Sequence, residues 1–173
     1  MNAFAELLKG WESFYLAVAT AAATLMGLLF VALSINMQLL RGPDGTHHRE
    51  TAVRTFGDFL FVLMLSLVFL IPNQEPIGFA VSPFVLGIVR GASLVRQALK
   101  ARRAATNRPS TALVVREYAL PLLASVGLIV ATIRILSGHF NAVFLLVGVV
   151  SVMLVTACLN AWSLLLQQSG AEE

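Results

Sequence analysis

The chain is 173 residues long, 58% hydrophobic and 12% charged, with a formal net charge of +3. A typical soluble domain is about 25% charged, so these charges are too few to cover a water-soluble globule. The basic balance does not argue for nucleic acid, because the cations flank long apolar runs, and the lone Cys158 excludes an internal disulfide.

The first dozen residues carry Phe4, Leu7, Leu8 and Trp11 at helical spacing, with Glu6, Lys9 and Gly10 elsewhere. This pattern predicts a short amphipathic helix lying on the outer membrane surface, the alternative being a frayed terminus. Trp11 and Tyr15 suit the interface, where a ring is apolar on one side and wet on the other. The first long apolar run is Phe14–Leu40. Its acidic flank (Glu6, Glu12) and its length do not fit a signal peptide, whose apolar region is about 7–15 residues. It reads as a permanent span, since roughly 20 apolar residues cross a hydrocarbon core.

One face of this span is unusual. Ser13, Ala17, Thr20, Thr24, Gly27, Val31, Ser34 and Gln38 follow at steps of four and three, which places them on one side of a helix. Most are small and several are hydroxylic. Ala19, Ala23 and Gly27 add a small-residue series on an adjacent strip. Small residues let helices approach closely in lipid, where apolar burial alone gives no drive to associate. Two readings follow: a close-packing face, or a hydroxyl-lined wall facing a pore or a water-filled cavity.

Arg41-Gly-Pro-Asp-Gly45 is a turn signal, and Thr46 precedes the next helix. There Glu50, Arg54 and Asp58 stand at successive i,i+4 positions on one face. His47 and His48, with Asp44 and Glu50 near, are metal-ligand residue types without a ligand spacing, and a solvated loop is the expectation. The second span is expected over about 51–71, ended by Pro72, and Pro76 is placed to start the third, at about 77–95. Gly87 and Gly91 form a GxxxG pair that predicts a close helix crossing. Between them lies Arg90, the most strongly intramembrane cation.

Counting from Arg96, Arg90 sits about 9 Å inside the membrane boundary, and Asp58 sits about 6 Å inside, counting from Arg54. An ion at the centre of a spanning helix costs at least ~2.5–3.5 kcal/mol, so such residues face the protein and find partners. The expectation is an Asp58–Arg90 intramembrane ion pair, with snorkelling of Arg90 to the headgroups as its alternative. Asn36, Gln38 and Asn160 approach the same depth and are candidates for a polar cluster around Asp58.

The third span runs on into a basic helix, broken at Asn107-Arg-Pro-Ser110. The fourth span, about 118–136, contains Pro121, where a kink is expected. Ser137-Gly138-His139 turns the chain into the fifth span, about 140–166, and a short polar tail of no regular structure follows from Gln167. Arg134 and Glu12 lie near one boundary and are candidates to pair there.

The predicted architecture is all-α: a five-span transmembrane bundle forming one domain over 1–173. Lys and Arg collect between spans one and two (Arg41, Arg49, Arg54) and between spans three and four (Arg96, Lys100, Arg102, Arg103, Arg108, Arg116). The positive-inside rule then places the N-terminus outside and the C-terminus in the cytoplasm.

The residues Gly10-Trp-Glu-Ser-Phe14 and Ala23-Thr-Leu-Met-Gly-Leu-Leu-Phe-Val-Ala-Leu-Ser-Ile-Asn36 resemble the opening of a family of small, uncharacterised bacterial multi-pass membrane proteins. The resemblance covers the first fifth of the chain. It implies a bacterial inner-membrane location and brings no activity with it.

The residues show no nucleophilic triad, phosphate loop or CxxC motif, so no catalytic residue, metal site or cofactor is expected. The leading expectation is a self-associating membrane protein forming an ion channel or polar pore, since short-looped spans build a pathway around a symmetry axis. The alternative is a non-transporting scaffold or regulator of a membrane partner. Membrane lipid and a second copy of the chain are the expected partners.

Overall fold

The computed structural model describes residues 3–35, 45–72, 74–104 and 111–169. They form α1 (Ala3–Lys9), α2 (Glu12–Ile35), α3 (Gly45–Phe69), α4 (Pro76–Ala104), α5 (Thr111–Leu136) and α6 (Ala142–Ser169). No strand occurs among the described residues. Five helices, α2 to α6, are long and apolar enough to cross a membrane, so the protein is an all-α multi-pass bundle. Residues 36–40 of the expected first span lie outside the described residues, as do 41–44 of the turn that follows. At the other end, α6 continues to Ser169, past the expected start of the irregular tail at Gln167.

The chain divides into two compact units. The first comprises Met1–Gly10 and Ile71–Val152, the second Trp11–Leu70 and Met153–Glu173, with the division falling inside α6.

In the first unit, α1 is more than a surface helix. Its polar residues Glu6 and Lys9 are exposed, while Phe4 and Leu8 are buried. The Phe4 ring lies 5.4 Å from that of Phe79 in an edge-on arrangement and 5.2 Å from that of Phe140. Offset and edge contacts of this kind contribute about 0.5–1.5 kcal/mol per pair beyond area burial. The apolar face that sequence periodicity assigns to lipid is therefore docked on protein.

Helix α4 starts as its sequence dictates. Pro76 occupies the first helical position, where a missing N–H costs nothing, and the Phe79 amide closes the first turn on the Glu75 carbonyl at 2.9 Å. Pro83 in α4 and Pro121 in α5 both lie inside continuous helices. Each removes one i→i−4 bond, and the neighbours must accommodate its ring. Helix α5 buries Ala124, Leu128, Ala131 and Ile135, a stripe at steps of four and three. It ends in a Schellman motif: the His139 amide donates to the Arg134 carbonyl (2.9 Å) and the Gly138 amide to the Ile135 carbonyl (3.0 Å). Gly138 supplies the left-handed conformation this needs, at φ 82°. The short return then feeds α6, whose Val143, Leu146 and Val150 are buried.

In the second unit, α2 buries Tyr15, Val18, Ala19, Ala22 and Leu29. Leu29 joins Ala52 and Phe59 of α3 and Ala157 of α6 in one core cluster, with Met26, Phe56, Leu154 and Cys158 packed against it. Near the opposite end of α2, Tyr15 stacks on Phe69 with centroids 3.7 Å apart and planes 16° from parallel.

Candidate functional site

Three features carry polar or close-packing chemistry within the membrane. The first is a buried carboxylate in the second unit. Asp58 is held on α3 by ordinary helical register and is only 6% exposed. The Asn160 side-chain amide on α6 donates to Asp58 Oδ2 at 3.2 Å. This bond ties two spans together next to the cluster built on Phe59 and Ala157, one turn or less from each partner. In such low-dielectric surroundings a charge-assisted bond gains strength, and its loss is correspondingly costly. One turn before Asp58 is Arg54, half-buried, and between them Thr55, buried, whose hydroxyl donates to the Thr51 carbonyl at 2.9 Å. Of the amides considered for this polar region, Asn160 reaches Asp58, whereas Asn36 and Gln38 lie outside the described residues.

Arg90, the expected ionic partner of Asp58, is half-buried on α4. It belongs to the first unit and Asp58 to the second. Its neighbour in register, Ser93, caps the Arg90 carbonyl at 2.8 Å.

The second feature is the α4–α5 crossing. A Cβ added at Gly87 would meet Ile129 Cγ1 at 3.1 Å and Leu128 Cδ2 at 3.3 Å, so any side chain there would force these neighbours to give by a few tenths of an ångström. At Gly91 the nearest atom is Ser125 Cβ at 4.0 Å, ordinary contact distance. Gly87 is thus the tight point and Gly91 the looser one. A further close approach was not legible in the sequence: a Cβ at Gly127 of α5 would lie 3.0 Å from Val149 Cγ2 of α6. An isolated glycine in a span gives no signal beyond flexibility. Ser125 and Thr132, both buried on α5, were also silent in the sequence; each donates to its own helix, to Pro121 at 2.9 Å and Leu128 at 2.8 Å.

The third feature is the face of α2. Ser13, Ala17, Thr20, Thr24, Gly27, Val31 and Ser34 are all exposed, and Gln38 lies outside the described residues. The whole described stripe therefore turns away from the other helices of its own unit. A Cβ on Gly27 would meet nothing within 4 Å. Of the adjacent strip, Ala19 is buried but Ala23 and Gly27 are exposed. Close packing of α2 inside the chain uses Val18, Ala19 and Ala22 instead. Three of the stripe's hydroxyls bond locally: Thr20 donates to Leu16, Thr24 to Thr20 and Ser34 to Phe30, each at 2.8 Å.

Among the described residues no group of three His, Cys, Asp or Glu side chains is placed to hold a metal ion. His47, His48 and Glu50 fall within the first turns of α3, and Asp44 lies outside the described residues. No family model matches the chain, and no curated protein or solved structure does either.

Proposed function

We propose that this multi-pass membrane protein self-associates in a bacterial inner membrane through the α2 face, and that the assembly encloses an ion-conducting or otherwise polar path. The observation that carries the reading is the exposure of every described residue of the Ser13–Ser34 stripe. α2 also buries the smallest share of its span, 22% against 44% for the α3 span. A helix with so exposed a face of glycine, alanine and hydroxylic residues fits against a second copy at short distance. The bacterial location rests on the resemblance of the first span. The outside N-terminus rests on the alternation of basic loops, and a reporter fused at residue 105 is expected to read cytoplasmic.

One observation favours a second reading, a scaffold or regulator without transport. The hydroxyls of Thr20, Thr24 and Ser34 bond to carbonyls of their own helix, so these three need no water to be satisfied. Such a face suits dry packing against a partner helix. Neither reading involves catalysis.

The test compares Gly27→Leu with the parent protein, following particle size in detergent and ion flux in liposomes. Self-association predicts loss of the larger species. Retained assembly with altered flux assigns the face to a path. Unchanged size and flux remove the proposal.

A further inference from the structure

Helices α1 and α2 are neighbours in sequence but not in packing. Met1–Gly10 belongs to the first unit, and the second begins at Trp11. The change of unit falls at a break in the helical hydrogen bonds. The Gly10 amide closes α1 on the Glu6 carbonyl at 3.2 Å, and the Tyr15 amide opens α2 on the Trp11 carbonyl at 3.0 Å. Gly10 is exposed, and a Cβ there would stand 3.3 Å from the Leu7 carbonyl oxygen, tighter than ordinary contact. The corner thus relies on a residue without a side chain, whose freedom in φ and ψ suits a hinge.

Each side of the corner has its own aromatic anchor. After it, the Trp11 ring meets Phe14 edge-on at 6.0 Å, Phe14 meets Tyr15 at 5.2 Å, and Tyr15 stacks on Phe69 at 3.7 Å, all within the second unit. Before it, Phe4 meets Phe79 at 5.4 Å and Phe140 at 5.2 Å, all within the first. The two anchors differ in what backs them. Tyr15 stands on a long helix that goes on to bury Val18, Ala19 and Ala22. On α1, Phe4 and Leu8 are buried one turn apart, Leu7 is half-buried, and Glu6 and Lys9 are exposed. The corner at Gly10 follows at once. A segment held through so few buried side chains opens locally at a much lower free energy than the whole fold.

We propose that α1 is a latch. It undocks from Phe79 and Phe140 by pivoting at Gly10, while the Trp11–Tyr15–Phe69 anchor and the spans stay folded. Opening leaves an aromatic slot at the start of α4, shaped for the ring that Phe4 supplies when the latch is closed. The latch stands apart from the α2 face and from any self-association, since every contact that closes it lies within the first unit.

The test is hydrogen exchange read by mass spectrometry on the full-length protein in detergent, across a series of low urea concentrations. Exchange in α1 should stay constant over the series, as local opening requires, while that of α5 around the buried Leu128 rises with urea. Phe4→Ala should speed exchange in α1 at least about tenfold and leave α5 unchanged. Lys9→Ala, at an exposed position, should change neither. Phe4→Leu and Phe79→Leu together should speed α1 exchange by less than the product of the two single effects, short by at least about twofold. Exchange in α1 that rises with urea in parallel with α5 overturns the proposal, because α1 then opens only with the whole unit. So does α1 exchange that Phe4→Ala leaves unaltered. Strict multiplication of the two leucine effects overturns it as well, since Phe79 would then not be what holds Phe4. The urea series on the parent protein keeps the test decisive if a variant misfolds.

Discussion

Two glycines on two spans show how the same sequence signal is put to different uses. Gly87 of α4 sits where an added Cβ would come within 3.1 Å of Ile129, and the missing side chain lets α5 close in. Gly27 of α2, flanked by an even richer series of small residues, has nothing within 4 Å. Small residues in lipid create the possibility of close approach, but they do not say to what. In α4 the partner is the next helix of the same chain. In α2 the buried side is the other one, built on Val18, Ala19, Ala22 and Leu29, and the small-residue face is exposed.

The sharpest way to break this comparison is to fill both glycines with the same side chain. Gly87→Leu forces a branched side chain into contacts already at their limit with Ile129 and Leu128, both on one neighbouring helix. Overpacking of that kind costs about 1–3 kcal/mol and occasionally more, and thermal unfolding in detergent should show the largest loss of any variant considered. Gly27→Leu should alter monomer stability by no more than about 0.5 kcal/mol, its effect appearing in assembly. Equal destabilisation by the two would mean that the α2 face is engaged within the chain after all.

A second contrast lies between the buried polar groups that bridge helices and those that bond locally. Asn160→Leu strips an amide donor from Asp58 Oδ2, across two spans. Leaving a buried carboxyl oxygen with a bond fewer costs about 2 kcal/mol, measurable by the same unfolding assay. Asn160→Gln, which keeps an amide, should recover part of it. Asp58→Asn, Arg90→Gln and their charge-swapped combination form a companion cycle for the expected ion pair. A pair requires coupling of at least about 0.5 kcal/mol, and strict additivity of the two neutralisations would dismiss it.

The α5–α6 contact offers a smaller perturbation. Gly127→Ala places a methyl 3.0 Å from Val149 Cγ2, the end of a side chain that can partly yield. A loss of about 1 kcal/mol is expected, and Val149→Ala in the same molecule should restore it. Absence of rescue would show that backbone, not Val149, limits the approach.

These particular residues also show what the sequence discloses. The five spans, the helix start at Pro76 and the turn at Gly138 follow from local rules of length, missing N–H groups and permitted φ, and they were legible. So was the stripe on α2, because a face is a property of one helix. Where a face points is a property of several helices, and nothing in α2 itself distinguishes the buried Ala19–Ala22 side from the exposed Thr20–Thr24 side. The Tyr15–Phe69 stack, the Gly127–Val149 approach and the docking of Phe4 on Phe79 and Phe140 depend on long-range register in the same way. Asp58 could be singled out by the cost of charge in lipid, and Asn160 by its depth. That they meet is again tertiary.

The smallest expected effect bears most directly on what the α2 face does. Thr20→Val and Thr24→Val keep side-chain volume and shape but remove hydroxyls that donate to Leu16 and Thr20 carbonyls within the helix. Those carbonyls are also helical acceptors, so losing the extra donor leaves no buried group stranded. Monomer stability should therefore stay within about 0.5 kcal/mol of the parent. If the face packs dry against another copy, the valines fill the same space and assembly should persist, with flux unaffected because none runs along this face. If the face lines a path, two methyls replace two hydroxyls along the wall, and an apolar constriction resists wetting. Conductance in liposomes should then fall while particle size stays constant. The isosteric exchange thus isolates the hydroxyls from the small size of the residues that carry them, which Gly27→Leu cannot do.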